Sequence, residues 1–498
     1  MKNETVKTFV KKFDEAKEQI IDIDVVLPDY YPEVNQILKC SASLSAEGVT
    51  FAGDKLSIAG NAFVTVVFTG EEGTVRVYEA TQKYTKLIQC DNLSDGDKCF
   101  VTQEVTQLNY KATGPRRLEI RTTASVRAAV FSGEKIDVLS DFENNFIEQR
   151  CENFDFFGIE AAQSVSFTVS DTVKLPDGIN GDAELISASC ELIVREKKVI
   201  KNKVMLKGSC NSEFIVSQPG AGIKKFAAEV PFTEITEIYG AEEDGECAVC
   251  ACCAEPKLAF KAMNGGNDVA FSADVQASVF VMRKETVTAA VDAFSVKGKT
   301  NTEISELHCI SAIVPVDTTA DTSVEADTYD STTSEIVAAY VDNIRHGISQ
   351  TGGNSTLNGT AVMNAAVKNS AGAISVISRT ASFTCSLPEA ADYFVNVACS
   401  RISAEIVGNG KIKFSASFAV NGFGLSTEKR SVITGGTVSD DRTETEASGI
   451  ALYYAHSGEK LWDIAKENKC RVSVLKELNN LESEDVVQSC ALIFPVGV

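Results

Sequence analysis

The sequence predicts a mainly β protein: three tandem β-sandwich-like domains followed by a small C-terminal β-α-α-β domain. Three observations carry this reading. One stretch returns twice at long intervals, apolar side chains inside each return alternate with polar ones, and a polar run sets off a final segment with helical spacing.

The repeat is read without a gap. Leu56 to Thr85 aligns with Val204 to Thr233 and with Ser355 to Thr384, so that Ile58, Leu206 and Leu357 coincide. So do Gly60, Gly208 and Gly359, then Val75, Ile223 and Ile374, then Tyr84, Phe232 and Phe383. The lags are 148 (208 − 60) and 151 (359 − 208). A period that long exceeds the roughly 20–50 residues of solenoid and propeller repeats, so each copy is a domain. A chain of 498 residues agrees with about three domains of roughly 150 residues each.

In chain order, Val6, Phe9, Val10, Phe13, Ala16 and Ile20 recur at helical spacing and predict an amphipathic helix over 1–21. The first β domain follows over 22–156, the second over 157–300 and a diverged third over 301–430. Leu27-Pro28-Asp29 and Leu175-Pro176-Asp177 mark the entries of the first two, where Pro fixes φ and Asp favours a turn. The third lacks that entry and has instead a Thr/Asp-rich run from Val316 and a helical segment around Glu335 to Ile348. Alternation gives the strands one dry and one wet face. Leu56, Ile58, Gly60, Ala62, Val64, Val66 and Phe68 share a face. A closing strand repeats the pattern at Leu118, Ile120, Thr122, Ala124 and Val126, at Val269, Phe271, Ala273 and Val275, and at Ile412, Phe414, Ala416 and Phe418. Such strands with few helices between them predict antiparallel sheets packed as sandwiches, whose edges offer a route to self-association. The pattern stops over 431–449, a predicted polar linker.

The last domain, 450–498, reads as a strand, a helix with Leu461, Ile464 and Ala465 on one face, a helix with Val474, Leu475 and Leu478 inward, and a strand ending Leu492-Ile493-Phe494-Pro495. With Gly458, Trp462, Asn479 and Leu481 at their spacings, it resembles a LysM domain. The resemblance implies a shallow groove for N-acetylglucosamine polymers between Gly458, Glu459, Lys460 and Leu461 on one side and Asn479, Asn480 and Leu481 onward on the other. Lys460, Glu459 and Ser489 stand where that family has a small hydroxyl residue, Asp and Gly. A bulky Lys and a lost Gly both argue against a close-fitting sugar.

Composition excludes several function classes. With 47 Lys plus Arg against 69 Asp plus Glu, the net charge of −22 lacks the basic footprint that nucleic acid or anionic lipid requires. The N-terminus has no secretory apolar core, and no run of about 18 apolar residues predicts a transmembrane segment. The 15 cysteines, odd in number and scattered, read as free thiols of a reducing compartment. The three histidines, His308, His346 and His456, have no metal or triad spacing, and His308 and Cys309 are strand neighbours that point apart. Cys247, Cys250, Cys252 and Cys253 form the one metal-like cluster. They align at the same lag with the strand from Phe100 to Val105, which argues for buried strand thiols instead of a zinc site. Gly352-Gly353 and Gly435-Gly436 lack the context of a phosphate loop. The expectation is a protein without enzymatic activity, cofactor or metal.

Three β copies joined to a C-terminal LysM-like domain resemble the SPOCS-domain proteins of endospore-forming bacteria. That resemblance implies a scaffold in the mother-cell cytoplasm, at the forespore surface, that helps the spore coat encase the forespore. It also implies partners: a morphogenetic ATPase of the coat's basement layer docked by the LysM domain, and other coat proteins. Peptidoglycan binding is the alternative that the LysM resemblance carries.

Overall fold

Alternating burial organises each copy into the same arrangement of six main strands. The computed structural model describes residues 1–498 except 71–74, 261–266, 329–332, 373, 409, 440–448, 483–485, 487 and 497–498. The first unit comprises β1 (Lys2–Val26), β2 (Gln36–Phe51), β3 (Lys55–Thr69), β4 (Val75–Gln89), β5 (Lys98–Gly114) and β6 (Arg117–Asp141). They form two antiparallel three-stranded sheets, β1-β6-β5 and β2-β3-β4. The second unit repeats this with β7 (Ile147–Lys174), β8 (Glu184–Ile200), β9 (Lys203–Gln218), β10 (Gly222–Glu237), β11 (Glu246–Cys253), the short β12 (Lys257–Ala259) and β13 (Asp268–Ser295). The third uses β14 (Lys299–Asp327), β15 (Thr333–Thr351), β16 (Asn354–Asn369), β17 (Ile374–Leu387), β18 (Asp392–Gly408) and β19 (Lys411–Ser439). In every unit the first strand pairs with the last, the last with the fifth, and the second to fourth form a meander. Each sandwich is filled from both sheets; in the first, Ile21, Ile23 and Val25 meet Leu56, Ile58 and Val64 and Leu118, Ile120 and Val126.

The repeated glycines and aromatics are cross-strand partners: Gly60 with Tyr84, Gly208 with Phe232, Gly359 with Phe383. The ring lies over the glycine, and a Cβ on Gly60 would sit 2.8 Å from Tyr84 Oη and 2.9 Å from its Cζ. The entry turns also correspond. Leu27 and Leu175 are buried, and their amides donate to the carbonyls of Arg116 and Asn267. Thr328 makes the same bond to Gly410 in the third unit, so a buried Thr takes the place of the Leu there.

Three expected elements differ. Residues 1–21 are not a helix but most of β1, paired with β6 along its length. A bulge between Lys11 and Phe13 switches the buried positions from Val6 and Thr8 to Ile21, Ile23 and Val25, leaving Ile20 55% exposed. Phe9 is buried on the strand's other face. Two faces and a phase change together imitate a helical period. The segment Glu335 to Ile348 is β15, with bulges at Val337 and between Asp342 and Arg345, and Val337, Ala338, Ala339 and Tyr340 are buried in succession. The first half of the expected linker, to Ser439, continues β19 against β14, with Val432 and Ile433 buried; 440–448 lie outside the described residues. The long first strands begin at Lys2, Ile147 and Lys299, so the second unit starts ahead of the boundary expected at 157.

The units close on one another. Leu38, Ile186 and Val337 are equivalent by lag (186 − 38 = 148, 337 − 186 = 151). Each is a bulged residue at the start of its strand, and all three are buried in one shared cluster. A bulge leaves its extra side chain outside the ladder, free to leave the sandwich face. A second shared cluster stacks Phe100 and Phe131 of the first unit against Phe280 of the second and Phe394 and Phe423 of the third. Ring centroids there lie 4.8 Å (Phe100–Phe394) and 5.5 Å (Phe100–Phe280) apart. Polar contacts cross every boundary: Ser278 Oγ donates to the Val101 carbonyl (2.6 Å), Arg127 to that of Tyr393 (2.7 Å), and Ala251 N to Asn421 Oδ1 (3.4 Å).

The C-terminal module is β20 (Gly449–Ala455), α1 (Leu461–Glu467), α2 (Val472–Asn479) and β21 (Cys490–Val496), with β20 and β21 antiparallel. Leu461, Ile464, Ala465 and Leu475 are buried as expected, but Leu478 is 47% exposed and faces outward.

Candidate functional site

The expected binding loops of the C-terminal module are tied to each other. Gly458, at φ +93° where only glycine is unstrained, donates to the Val486 carbonyl (2.8 Å), and Val486 N donates to that of Glu459 (2.9 Å). Ser457 N donates to Ser489 Oγ (3.1 Å), and the Glu459 carboxylate accepts from His456 N (3.1 Å). Lys460 precedes α1 and is exposed, whereas Leu461 is buried in the module core. Asn479 clamps β21, donating to the Ile493 carbonyl and accepting from Ile493 N, both at 2.7 Å. Asn480 ends α2 in the left-handed conformation, and Leu481 packs on the core. Of these residues, Lys460 and Asn480 present their side chains to solvent as a binding loop requires; Leu461 cannot.

Trp462 has another task. It is half-buried at the edge of the module, its ring 5.1 Å from that of Phe294 on β13 and its indole N–H donating to Asp292 (2.7 Å). Lys466 also donates to Asp292 (2.6 Å), Arg150 lies over the indole, and Arg471 donates to the Asn145 carbonyl (2.7 Å). Burial pushes the Asp292 carboxyl up, but the Lys466 and Trp462 hydrogen bonds outweigh it and hold it below the usual range. Module and second unit therefore share a core built around Phe294. What the module leaves open is the outer face of its sheet. Ile450, Leu452 and Tyr454 are 77%, 72% and 64% exposed, and Ile493, the partner of Leu452, adjoins them. Period-two alternation through Leu452 and Tyr454 would have disclosed this row, which the sequence reading missed.

The cysteine run lies on β11, the strand expected from its alignment with β5. Cys247 and Cys253 turn into the core of the second unit, while Cys250 packs in the shared phenylalanine cluster and, with Cys252, lines a cavity between units. The four sulfurs therefore do not converge. His308 and Cys309 pair with successive residues of β19, Lys429 and Glu428, and point apart as expected.

Between the units lie two adjoining cavities, of about 390 and 540 Å³, that share Gln103, Glu104, Cys252, Gln276 and Asn396. Lys39, on the bulge after Leu38, reaches across the larger one to Ser187 (3.1 Å) and Glu255 of the second unit and sits over the Tyr340 ring of the third. Burial there raises the Asp342 carboxyl to about 6 against the lowering effects of Asn364 and Lys39. Cys40, beside it, is raised by burial as well, so it is no nucleophile. Sequence reading missed this junction because its members lie in different copies.

Comparison with known proteins identifies the repeated domain. A family model described as SipL, SPOCS domain, matches residues 33–113 and 183–254. Those residues run from β2 into β5 and from β8 through β11, the same part of two successive copies. The first two copies therefore carry the SPOCS domain, a domain that points to a sporulation-related role; the third repeats their strand order. No curated protein and no solved structure matches the chain.

Proposed function

We propose that this protein is a non-enzymatic sporulation scaffold that helps the coat encase the forespore, its C-terminal module docking an ATPase of the coat's basement layer. The SPOCS match supports the sporulation setting. The observation that carries the docking step is the exposed row Ile450, Leu452 and Tyr454 on a module whose opposite side is anchored to the second unit. A rigid, two-stranded apolar face with an aromatic at one end has the character of a protein hot spot. If the module is LysM-like, its use for protein fits better than its use for sugar: its Trp is committed to Phe294 and Asp292, and its two loops are bonded to each other. The second unit holds this face in place through Phe294 and Asp292.

The test uses the full chain with the basement-layer ATPase of its own host. Leu452→Asp and Tyr454→Ala leave the module core untouched and weaken capture of the ATPase by about tenfold or more, the effect of losing a central interface residue. Lys460→Glu reports whether the expected loop adds to the contact. Undiminished capture by the Leu452 and Tyr454 variants rejects this face. Sedimentation with purified peptidoglycan, abolished by Lys460→Glu and indifferent to Leu452→Asp, replaces the proposal with glycan binding.

A further inference from the structure

The second unit holds a convergence of thiols that its sister copies lack. Cys190 on β8, Cys210 on β9 and Cys253 at the end of β11 come from both sheets of the sandwich, and their sulfurs all lie within 4.8 Å of one another. Cys190 and Cys210 are buried and Cys253 is half-buried. Ser212, the cross-strand partner of Cys190, is buried too; its hydroxyl lies beside the Cys190 sulfur and has no other partner.

The other copies show what this scaffold needs at these positions. Subtracting 148 leads to Ala42, Ala62 and Val105 in place of the cysteines and Val64 in place of Ser212. The register agrees, since Ala42 pairs with Val64 as Cys190 pairs with Ser212. Adding 151 leads to Val341, Ala361 and Met363 for Cys190, Cys210 and Ser212. Those side chains fill the cores of the first and third units. A thiol standing for an alanine can be a small hydrophobe. A buried hydroxyl standing for a valine cannot, because a polar group taken out of water needs a partner. All four polar substitutions fall at one point of one copy, which packing alone does not require.

We propose that Cys190, Cys210 and Cys253 form a binding site for a soft, thiophilic divalent cation, zinc(II) above all, with the Ser212 hydroxyl at the fourth position. Zinc takes four ligands in a tetrahedron with sulfur at about 2.3 Å, which sets sulfurs about 3.8 Å apart. The trio needs to contract by no more than about 1 Å to reach this geometry. On binding, the thiol protons pass to solvent. Cys190 and Cys253 also line the larger cavity between the units, which gives the ion a path inward.

The site is tested on the full chain, reduced and stripped with a chelator, by titration with cobalt(II) and then zinc(II). A single equivalent of cobalt produces thiolate charge-transfer absorption and the visible bands of tetrahedral cobalt, and zinc displaces it. Cys210→Ala and Cys190→Ala install the residue that the first copy carries, so the fold survives; each weakens cobalt binding by 100-fold or more. Cys247→Ala, on the same strand as Cys253, binds as the parent does. Absence of tetrahedral cobalt bands in the folded, reduced parent overturns the proposal, as does a signal that persists in Cys210→Ala.

Discussion

The glycine–aromatic pairs explain at the residue scale why the repeat is so plain. Gly359 leaves its strand without a side chain, the Phe383 ring covers the gap, and Phe383 in turn stacks on Phe418 of the facing sheet at 4.1 Å. Each member requires the other, so the positions coincide in all three copies and stand out in the sequence. The thiol trio gave no such signal, because its members are 20 and 43 positions apart (210 − 190, 253 − 210) and lie on two sheets. Comparison of copies at Ala42, Ala62 and Val64 would have disclosed it. Asp342 was likewise silent, its setting being made by Asn364 of a neighbouring strand and Lys39 of the first unit. Its folded carboxyl is raised from 3.8 to about 6, so the folded state holds a proton that the unfolded chain has lost. Stability therefore falls as pH rises from about 4 to 6, and the full cost, at most about 3 kcal/mol, applies above 6. Asp342→Asn removes this cost. Denaturant midpoints of variant and parent coincide near pH 4 and diverge in the variant's favour by pH 7; a constant difference across that range contradicts the assignment.

Bulges decide at the element scale where sequence reading succeeds. β3 and the closing strands keep one phase from end to end, and their alternation identifies them directly. β1 and β15 change phase at a bulge and bury residues on both faces, so the same rule returns a helix for each. The module's helices were legible because Leu461, Ile464 and Ala465 face one core, whereas Leu478 follows the helical period yet faces outward. The role of α1 as an anchor was not legible, since Asp292 and Phe294 lie some 170 residues upstream of Trp462. That anchor is pH-dependent. The Asp292 carboxyl is held below its ordinary value, so its contribution is complete above about pH 4 and is lost as the group is protonated at lower pH. Trp462 is the only tryptophan, so its emission reports the seat alone. Asp292→Ala moves the emission to longer wavelength at neutral pH and removes the acid-induced shift of the parent; unchanged emission means that the indole is held by Phe294 without the carboxylate.

The lag found in the sequence counts the domains of the whole molecule but does not reveal that they close on one another. The residues that join them are those that break the internal pattern: the bulged Leu38, Ile186 and Val337, and phenylalanines on the faces turned away from each sandwich. Tandem domains on tethers unfold one at a time, whereas units that share two buried clusters unfold together. The expected calorimetric trace is a single transition for the three units. Phe100 is its most sensitive point, because its ring meets Phe280 of the second unit and both Phe394 and Phe423 of the third. Phe100→Ala leaves a cavity at the junction and costs about 3–5 kcal/mol, the range for deleting a buried aromatic ring. That loss falls on the coupling between units and leaves the sandwich cores intact, so the transition splits into separate ones while the far-ultraviolet strand signal at low temperature is kept. Three resolved transitions in the parent, or an unsplit and unshifted one in Phe100→Ala, would show that the units are stable independently and that their contact is incidental.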